Sequence, residues 1–399
     1  MNLRERLQMI RPAGAAPESP AATSLKQRVE RMAVRAQSRR PDEAEIASRL
    51  RGEHIAEGLI LIERRYSLTH SHGNAQLGDF GAVPTHMLAD GLPRRPEGAV
   101  FLDTETSGLA GGTGTIAFLL GMARIEDDVL LLRQWLLTGF RGEAAMLEAA
   151  QSWLKRSEYL ITFNGKTFDV PLLIGRYRLH RMTEPLGGMP HLDLLHPMRA
   201  AFAKKWDDCR LQTAERRLLR MHRDDDLPGA LVPEAWSQFV RLGLLDTIPA
   251  VLEHNRLDIL SLPACTSALA RVYAEPGFVE CDALAVARRH LSHGRPGEAL
   301  RHLEADRYRL DDEGLLMLAA LYRRCRQEQE ALAIWQQLAE QGMAEAVENL
   351  AKYCEHRARD YGAALDYTHR LAEIAGEDST ERRAARLHLK LARTSRTLM

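Results

Sequence analysis

A mixed α/β domain whose sheet is flanked by helices, followed by an all-α domain of helical repeats, is what the apolar patterning of this 399-residue chain dictates. Three observations carry that expectation. Between residues 98 and 274, apolar runs of strand length alternate with segments of helical period. The pattern breaks at Glu275-Pro276-Gly277, a cluster of turn residues, and is almost wholly helical afterwards. In that last third an Ala-Leu pair returns at Ala299, Ala331 and Ala364, at intervals of 32 and 33 residues.

Taken in order, residues 1–43 form a basic, partly disordered arm: nine Lys or Arg against three Glu lie in residues 1–40, and Arg11 to Thr23 reads as an Ala/Pro/Ser linker after a short helix. Such an arm suits a phosphate backbone or simply a solvated tail. Residues 44–97 form an extension that packs on the core, with a helix at 44–51, a strand at 58–63 and a Gly/Pro/His-rich connection through Pro96. The core spans 98–274. Its strands fall at 98–104, 115–125 and 129–137, the last two closed into a hairpin at Glu126-Asp127-Asp128. A helix at 142–156, a strand at 159–163, a helix from Asp169 to His180 and a strand at 191–195 follow, and a long helix at 247–272 closes the domain. Three strands in a meander, then helix, strand, helix, strand, helix, is the element order of a ribonuclease-H-like domain. Residues 280–399 form the repeat domain, which presents a groove to a partner or else caps the core as a plain bundle. The end of the chain, from Arg382 to Arg396, is basic again.

Composition narrows the setting. The opening residues Met-Asn-Leu-Arg-Glu-Arg-Leu lack an apolar signal core, and no apolar stretch approaches the roughly 18 residues of a spanning helix, so a cytoplasmic, non-membrane protein is expected. Five cysteines, odd in number and without a Cys-x-x-Cys pair, read as buried thiols rather than as zinc or redox sites. Formal net charge is zero, so global charge gives no support for nucleic-acid binding.

The chemistry sits on acids. Asp103-Thr104-Glu105 ends the apolar run Ala99-Val100-Phe101-Leu102, and period-two alternation puts both carboxylates on one face of the strand, about 6–7 Å apart. Asp169 closes Asn164-Gly-Lys-Thr-Phe-Asp169, a strand running into a glycine turn and a helix start. Asp258 lies four residues after His254, on the same helix face. Four carboxylates can hold two Mg²⁺ or Mn²⁺ ions, the arrangement used for phosphodiester hydrolysis, and an imidazole beside them is suited to accept a proton near neutral pH. Around them, Asn164, Lys166 and Thr106 are placed as substrate contacts, Phe168 is assigned to the core, Asp193 either ends its strand or assists the site, and Asp224-Asp225-Asp226 reads as an exposed turn. The glycine-rich stretch from Gly108 to Gly114 reads as a close-approach loop beside the metals, since it lacks the Gly-Lys-Ser/Thr ending of a nucleotide-binding loop.

Asp103-x-Glu105, Asn164…Phe168-Asp169 and His254…Asp258 resemble the three motifs of the DEDD exonuclease superfamily. With Glu105-Thr-Ser-Gly-Leu-Ala-Gly-Gly-Thr-Gly114, His191-Leu-Asp-Leu-Leu-His-Pro197, Asp224-Asp-Asp-Leu-Pro-Gly229 and His254-Asn-Arg-Leu-Asp-Ile-Leu-Ser-Leu262, the stretch from Phe101 to Leu262 is similar to the YprB-like ribonuclease-H-like domain family. The helices after residue 280 fit members with tetratricopeptide-like tails. The resemblance implies a five-stranded central sheet and a two-metal 3′-to-5′ exonuclease site on single-stranded DNA or RNA. Asp103 would bridge the ions, Glu105 and Asp258 would bind mainly one, Asp169 would support the other through water, and His254 would act as general base. One departure concerns spacing: the histidine subgroup of this superfamily has four residues between His and Asp, the tyrosine subgroup three, and this chain has three. His254 therefore either replaces that tyrosine in place or stands out of line with the attacking water. Two other readings fit the same residues, a structure-selective endonuclease on the same fold and a non-catalytic adaptor whose repeats recruit a nucleic-acid-processing complex.

Overall fold

The computed structural model describes residues 41–89, 91–93, 95–108, 114–376 and 380–397. Helix α1 (Glu43–Leu50) leads into β1 (Glu53–Ala56) and β2 (Leu59–Ser67); a small ribbon, β3 (Ser71–His72) with β4 (Ala75–Gln76), and a single turn, α2 (Asp79–Ala82), complete the extension. The core begins with β5 (Ala99–Thr106), β6 (Ala117–Glu126) and β7 (Val129–Leu137). It continues through α3 (Glu143–Leu154), β8 (Tyr159–Thr162), α4 (Asp169–Leu179), β9 (His191–Asp193), α5 (Leu195–Phe202), α6 (Leu211–Ala214), α7 (Val232–Leu242) and the 27-residue α8 (Ile248–Ala274).

These strands form one sheet in the order β1-β2-β7-β6-β5-β8-β9, with β5, β8 and β9 parallel and the remaining pairs antiparallel. The sheet has seven strands rather than five. The extension supplies the other two, because β2 pairs with β7 along its whole length, from Leu59 opposite Leu137 to Ser67 opposite Val129, and so covers an otherwise open edge. Alternation along β5 sorts its side chains between two cores. Val100 and Leu102 join Trp135, Trp153, Tyr177 and Trp236 on the face covered by α3, α4 and α7. Ala99 and Phe101 join Met198, Phe202, Ile259 and Tyr273 on the face covered by α5 and α8. The same parity carries Asp103 and Glu105 to the α8 side.

After the core come α9 (Ala283–Ser292), α10 (Pro296–Ala305), α11 (Asp312–Arg324), α12 (Glu328–Glu340), α13 (Ala344–Tyr353), α14 (Tyr361–Ala375) and α15 (Glu381–Thr397), each packed on the next. The recurring Ala299, Ala331 and Ala364 are fully buried, where a small side chain lets neighbouring helices close up. The array is tied to the core at the end of α8, where His290 and His302 both hydrogen-bond the carbonyl of Tyr273 at 3.0 and 2.9 Å. At the basic end of the chain, Arg386 and Lys390 converge on the buried carboxylate of Glu355. All five cysteines are free, but only Cys265 and Cys281 are buried; Cys209 and Cys354 are half-buried and Cys325 is exposed, because it ends α11 outside the apolar stripe. No helix among the described residues is long and apolar enough to cross a membrane. The basic arm of residues 1–40 and most of the glycine-rich loop, residues 109–113, lie outside the described residues.

Candidate active site

The end of β5 is where three segments meet. Asp103 faces α8, and the Asn255 amide donates to its Oδ2 at 2.8 Å. Asn255 is completely buried and is itself held: its Oδ1 accepts from Gln134 Nε2 at 2.9 Å, and the same nitrogen donates to the Leu252 carbonyl at 2.8 Å. Gly121 stands opposite Asp103 in β6, and a Cβ there would overlap the Asn255 amide, so only glycine lets α8 approach this closely.

Thr104 points to the other face and holds Asp169. Its N–H donates to Asp169 Oδ1 at 3.1 Å and its hydroxyl to the same oxygen at 2.5 Å, which ties the first residue of α4 to β5. The turn before α4 is organised by Asp193, whose carboxylate accepts from the N–H groups of Asn164 (2.7 Å), Lys166 (3.0 Å) and Leu195 (3.1 Å). Asn164 adopts a left-handed conformation, φ 66°, which Asn tolerates better than other branched side chains. Lys166 is exposed. Phe168 is not in the core: it is 58% exposed, because α4 buries the stripe Asp169, Leu173 and Tyr177 and Phe168 stands one position off that stripe. Thr106 is half-buried and spends its hydroxyl on the Gly108 carbonyl at 3.0 Å.

The third segment is α8 with the loop before α7. His254 presents Nε2 to Glu105 Oε1 at 4.0 Å and Asp258 Oδ2 at 3.8 Å, so the three-residue spacing leaves the ring facing the acids. Its Nδ1 is bonded to Asp226 Oδ1 at 2.8 Å. Asp224 and Asp225 are exposed as the sequence suggested, but Asp226 turns inward, drawn by His254 and by Arg223 Nη1 at 3.2 Å. Arg223 is the centre of this side. Its side chain is 4% exposed, and it also bonds Asp258 Oδ1 at 2.5 Å and Glu215 Oε2 at 2.8 Å. Glu215 accepts further from Ser261, and Ser261 from His72 at 2.7 Å, so the ribbon of the extension reaches the back of the site.

Electrostatics follow from this crowding. Burial pushes Asp103 well above the ordinary carboxylate range, reinforced by the charges of Asp258, Glu105 and Asp169 and opposed by the Asn255 hydrogen bond. Burial likewise raises Glu105 to about 8, with His254 opposing and Asp258 and Asp169 adding, and Asp169 to about 6, against its bonds from Thr104. Burial lowers His254, but the Asp226 bond and the charges of Asp258 and Glu105 outweigh it and bring the imidazole to about 9. Among the described residues one group of His, Cys, Asp or Glu converges tightly enough for an ion: donor atoms of Glu105, His254 and Asp258 all lie within 4.8 Å of one another. Asp103 and Asp169 stand outside that trio, each held by its own neutral donors.

Sequence reasoning missed Asn255, Asp226 and Arg223 with Glu215. Asn255 had a signal, since it shares the helix stripe of Leu252, Ile259 and Leu262, where a polar residue needs a buried partner. Arg223 and Asp226 had none, because the partners that draw them into the site, Asp258 and His254, lie 35 and 28 residues away in sequence.

Comparison with known proteins agrees with this architecture. A profile of the RNase_H superfamily matches residues 100–270. The uncharacterized protein YprB of Bacillus subtilis (strain 168) is 31% identical over 361 residues, covering 85% of this chain and 86% of that protein. With the ribonuclease-H sheet order carried by β5 to β9 and a relative aligned along most of both lengths, the chain belongs to the YprB family of the RNase_H superfamily.

Proposed function

We propose that this chain is a metal-dependent nuclease, a 3′-to-5′ exonuclease that hydrolyses single-stranded DNA or RNA. The observation that supports it above all is the mutual approach of four carboxylates from β5, α4 and α8, with His254 facing into them. Like charges buried this closely are costly unless cations offset them. Carboxylate oxygens form a donor set that suits Mg²⁺ or Mn²⁺, and Glu105 and Asp258 converge beside the His254 ring, with donor atoms within 4.8 Å of one another. Asp103, Glu105, Asp169 and Asp258 would hold the ions. Divalent ions at such a site, when bound, make water more acidic and offset charge on the phosphate.

The chain's own residues do the rest. Asp226 occupies Nδ1 of His254 and leaves Nε2 facing Glu105 and Asp258; because those acids favour the protonated ring, Nε2 would accept a proton from the attacking water only where cations offset their charge. Asp226 is thus a positioning residue, fixed in turn by Arg223. Asn255 keeps the Asp103 carboxylate in one orientation, and Thr104 does the same for Asp169. Phe168, exposed one residue before Asp169, offers a ring for a base to stack on, and Lys166 offers a cation for a phosphate.

The test is degradation of end-labelled single-stranded DNA and RNA with Mg²⁺ or Mn²⁺, beside Asp103→Ala, whose rate should fall about a hundred- to a thousandfold. A ladder shortening from the 3′ end, absent in the variant and with EDTA, is the expected result. Internal fragments would replace the exonuclease by an endonuclease, and intact substrate throughout would leave a non-catalytic adaptor. Manganese should also raise the melting temperature of the wild type but not of Asp103→Ala, a readout that does not depend on turnover.

A further inference from the structure

The helical array holds a cavity of about 450 Å³, far in sequence from the acids of the candidate active site, between α11, α12, α13, the turn after α13, and α15. Four cations line it, Arg323, Lys352, Arg357 and Arg383, together with Trp335 and Asn349. Glu328 in the lining and Glu348 beside it subtract two charges from those four, and Glu355 behind Arg383 is offset by Arg386 and Lys390, which leaves an excess of two. Glu348 is held between Lys352 at 2.9 Å and Arg383 at 3.3 Å, and Glu328 lies 3.6 Å from Arg357, so these cations are fixed in place by partners they can share with an incoming anion. The side chains of Arg323 and Asn349 make no hydrogen bond or ion pair among the described residues. The lining is therefore set up for negative charge and for one amide partner.

We propose that this cavity is a docking site for an acidic peptide segment of a partner protein. Its size lies within the roughly 300–1,000 Å³ range of concave binding sites. Charge complementarity excludes the chain's own N-terminal arm, since residues 1–40 carry nine Lys or Arg against three Glu. A peptide is favoured over a nucleic-acid strand by the aromatic residue at the site. Trp335 lines the cavity but is only 3% exposed, so it lacks the open ring face that a stacked base needs. Asn349 adds what a peptide unit needs, one N–H donor set and one carbonyl acceptor on the same side chain, and a phosphodiester cannot use both. Bands of alternating acidic and apolar side chains on an extended peptide meet these groups in the manner of other groove-bound segments. The inference stands independently of the nuclease reading.

The experiment is fluorescence anisotropy of the full chain with three labelled probes: a short peptide of alternating Glu and Leu, the same peptide with Lys for Glu, and a single-stranded oligothymidylate in EDTA. The double variant Lys352→Glu/Arg357→Glu is compared with the wild type, both side chains being exposed so that the fold is kept, which circular dichroism verifies; Asn349→Ala serves as a second, charge-neutral variant. The expected result is selective binding of the acidic peptide, weakened at least about tenfold by the charge reversal and by added salt, and weakened in Asn349→Ala without a change in salt dependence. Binding of the acidic peptide that neither variant alters overturns the proposal, as does failure of that peptide to bind. Reversal-sensitive binding of the oligothymidylate alone would overturn it in favour of a nucleic-acid track.

Discussion

The two sides of the site are built by different means. Asp103 and Asp169 are held by neutral groups, the Asn255 amide and the Thr104 backbone and hydroxyl, that belong to regular elements. His254 and Asp258 are held by charges, Asp226 and Arg223, and Arg223 is shared with buried Glu215. Neutral donors orient a carboxylate without cancelling it, so the first side stays repulsive and waits for cations. The second side is already balanced within the protein. The difference predicts that removing a charge weakens one side and relieves the other.

The largest effect should follow from Arg223→Met. It leaves Glu215, whose side chain is 1% exposed, with a buried and uncompensated charge, and should cost about 3–5 kcal/mol of stability in urea unfolding. Adding Glu215→Gln should return much of that loss, since the two residues form one network. A single variant as stable as the wild type would break the comparison, because the charged side would then not be held by its charges.

Asp226→Asn comes next and sharpens the division of labour. An amide at this position can still meet His254 but no longer favours one orientation of the ring, and removal of such a supporting group typically costs about 10- to 100-fold. The loss should appear in kcat with KM unchanged and with the urea midpoint close to that of the wild type; a loss confined to KM would place Asp226 in substrate binding instead. On the neutral side the sign reverses. Asp103→Asn removes one of the mutually repelling acids, keeps a partner for the Asn255 amide, and should raise the stability of the metal-free protein by about 0.5–2 kcal/mol while abolishing hydrolysis. A lower melting temperature in EDTA would contradict the repulsion inferred for that side.

The same contrast explains what could be read from the sequence. Regular elements announce themselves through period, so β5 to β9 and their order along the chain were legible from apolar alternation, and the candidate acids stood out by position, Asp103 and Glu105 at a strand end, Asp169 at a helix start after a glycine turn, and Asp258 one helix turn after His254. The two strands of the extension were less so: β1 is short and almost wholly exposed, and β2 is legible only to Glu63, because beyond it Arg64, Arg65 and Tyr66 follow along β7, whose pairing residues lie about 65 residues on. Asp224-Asp225-Asp226 is a run of three identical side chains, and nothing local distinguishes the one that turns inward. That choice is made by Arg223 and His254, which only the folded chain brings together. Phe168 shows the opposite error, an apolar residue assigned to the core by composition when the helix stripe beside it excludes it.

Phe168 also supplies the smallest predicted effect. Its ring is 58% exposed and stands next to Asp169 on the neutral side, where the position explains no packing. Phe168→Ala should leave urea stability within about 0.5 kcal/mol, the range of ordinary surface substitutions. If the ring stacks on a base, KM for a single-stranded substrate should rise about fivefold, equivalent to about 1 kcal/mol and the low end of base–aromatic stacking. The effect should be the same for every base, because each has a face to stack on, and Phe168→Tyr should restore it. An unchanged KM would mean that substrate reaches Asp103 and Asp258 from the charged side, past Asp224 and Asp225, and would reverse which of the two sides is the open one.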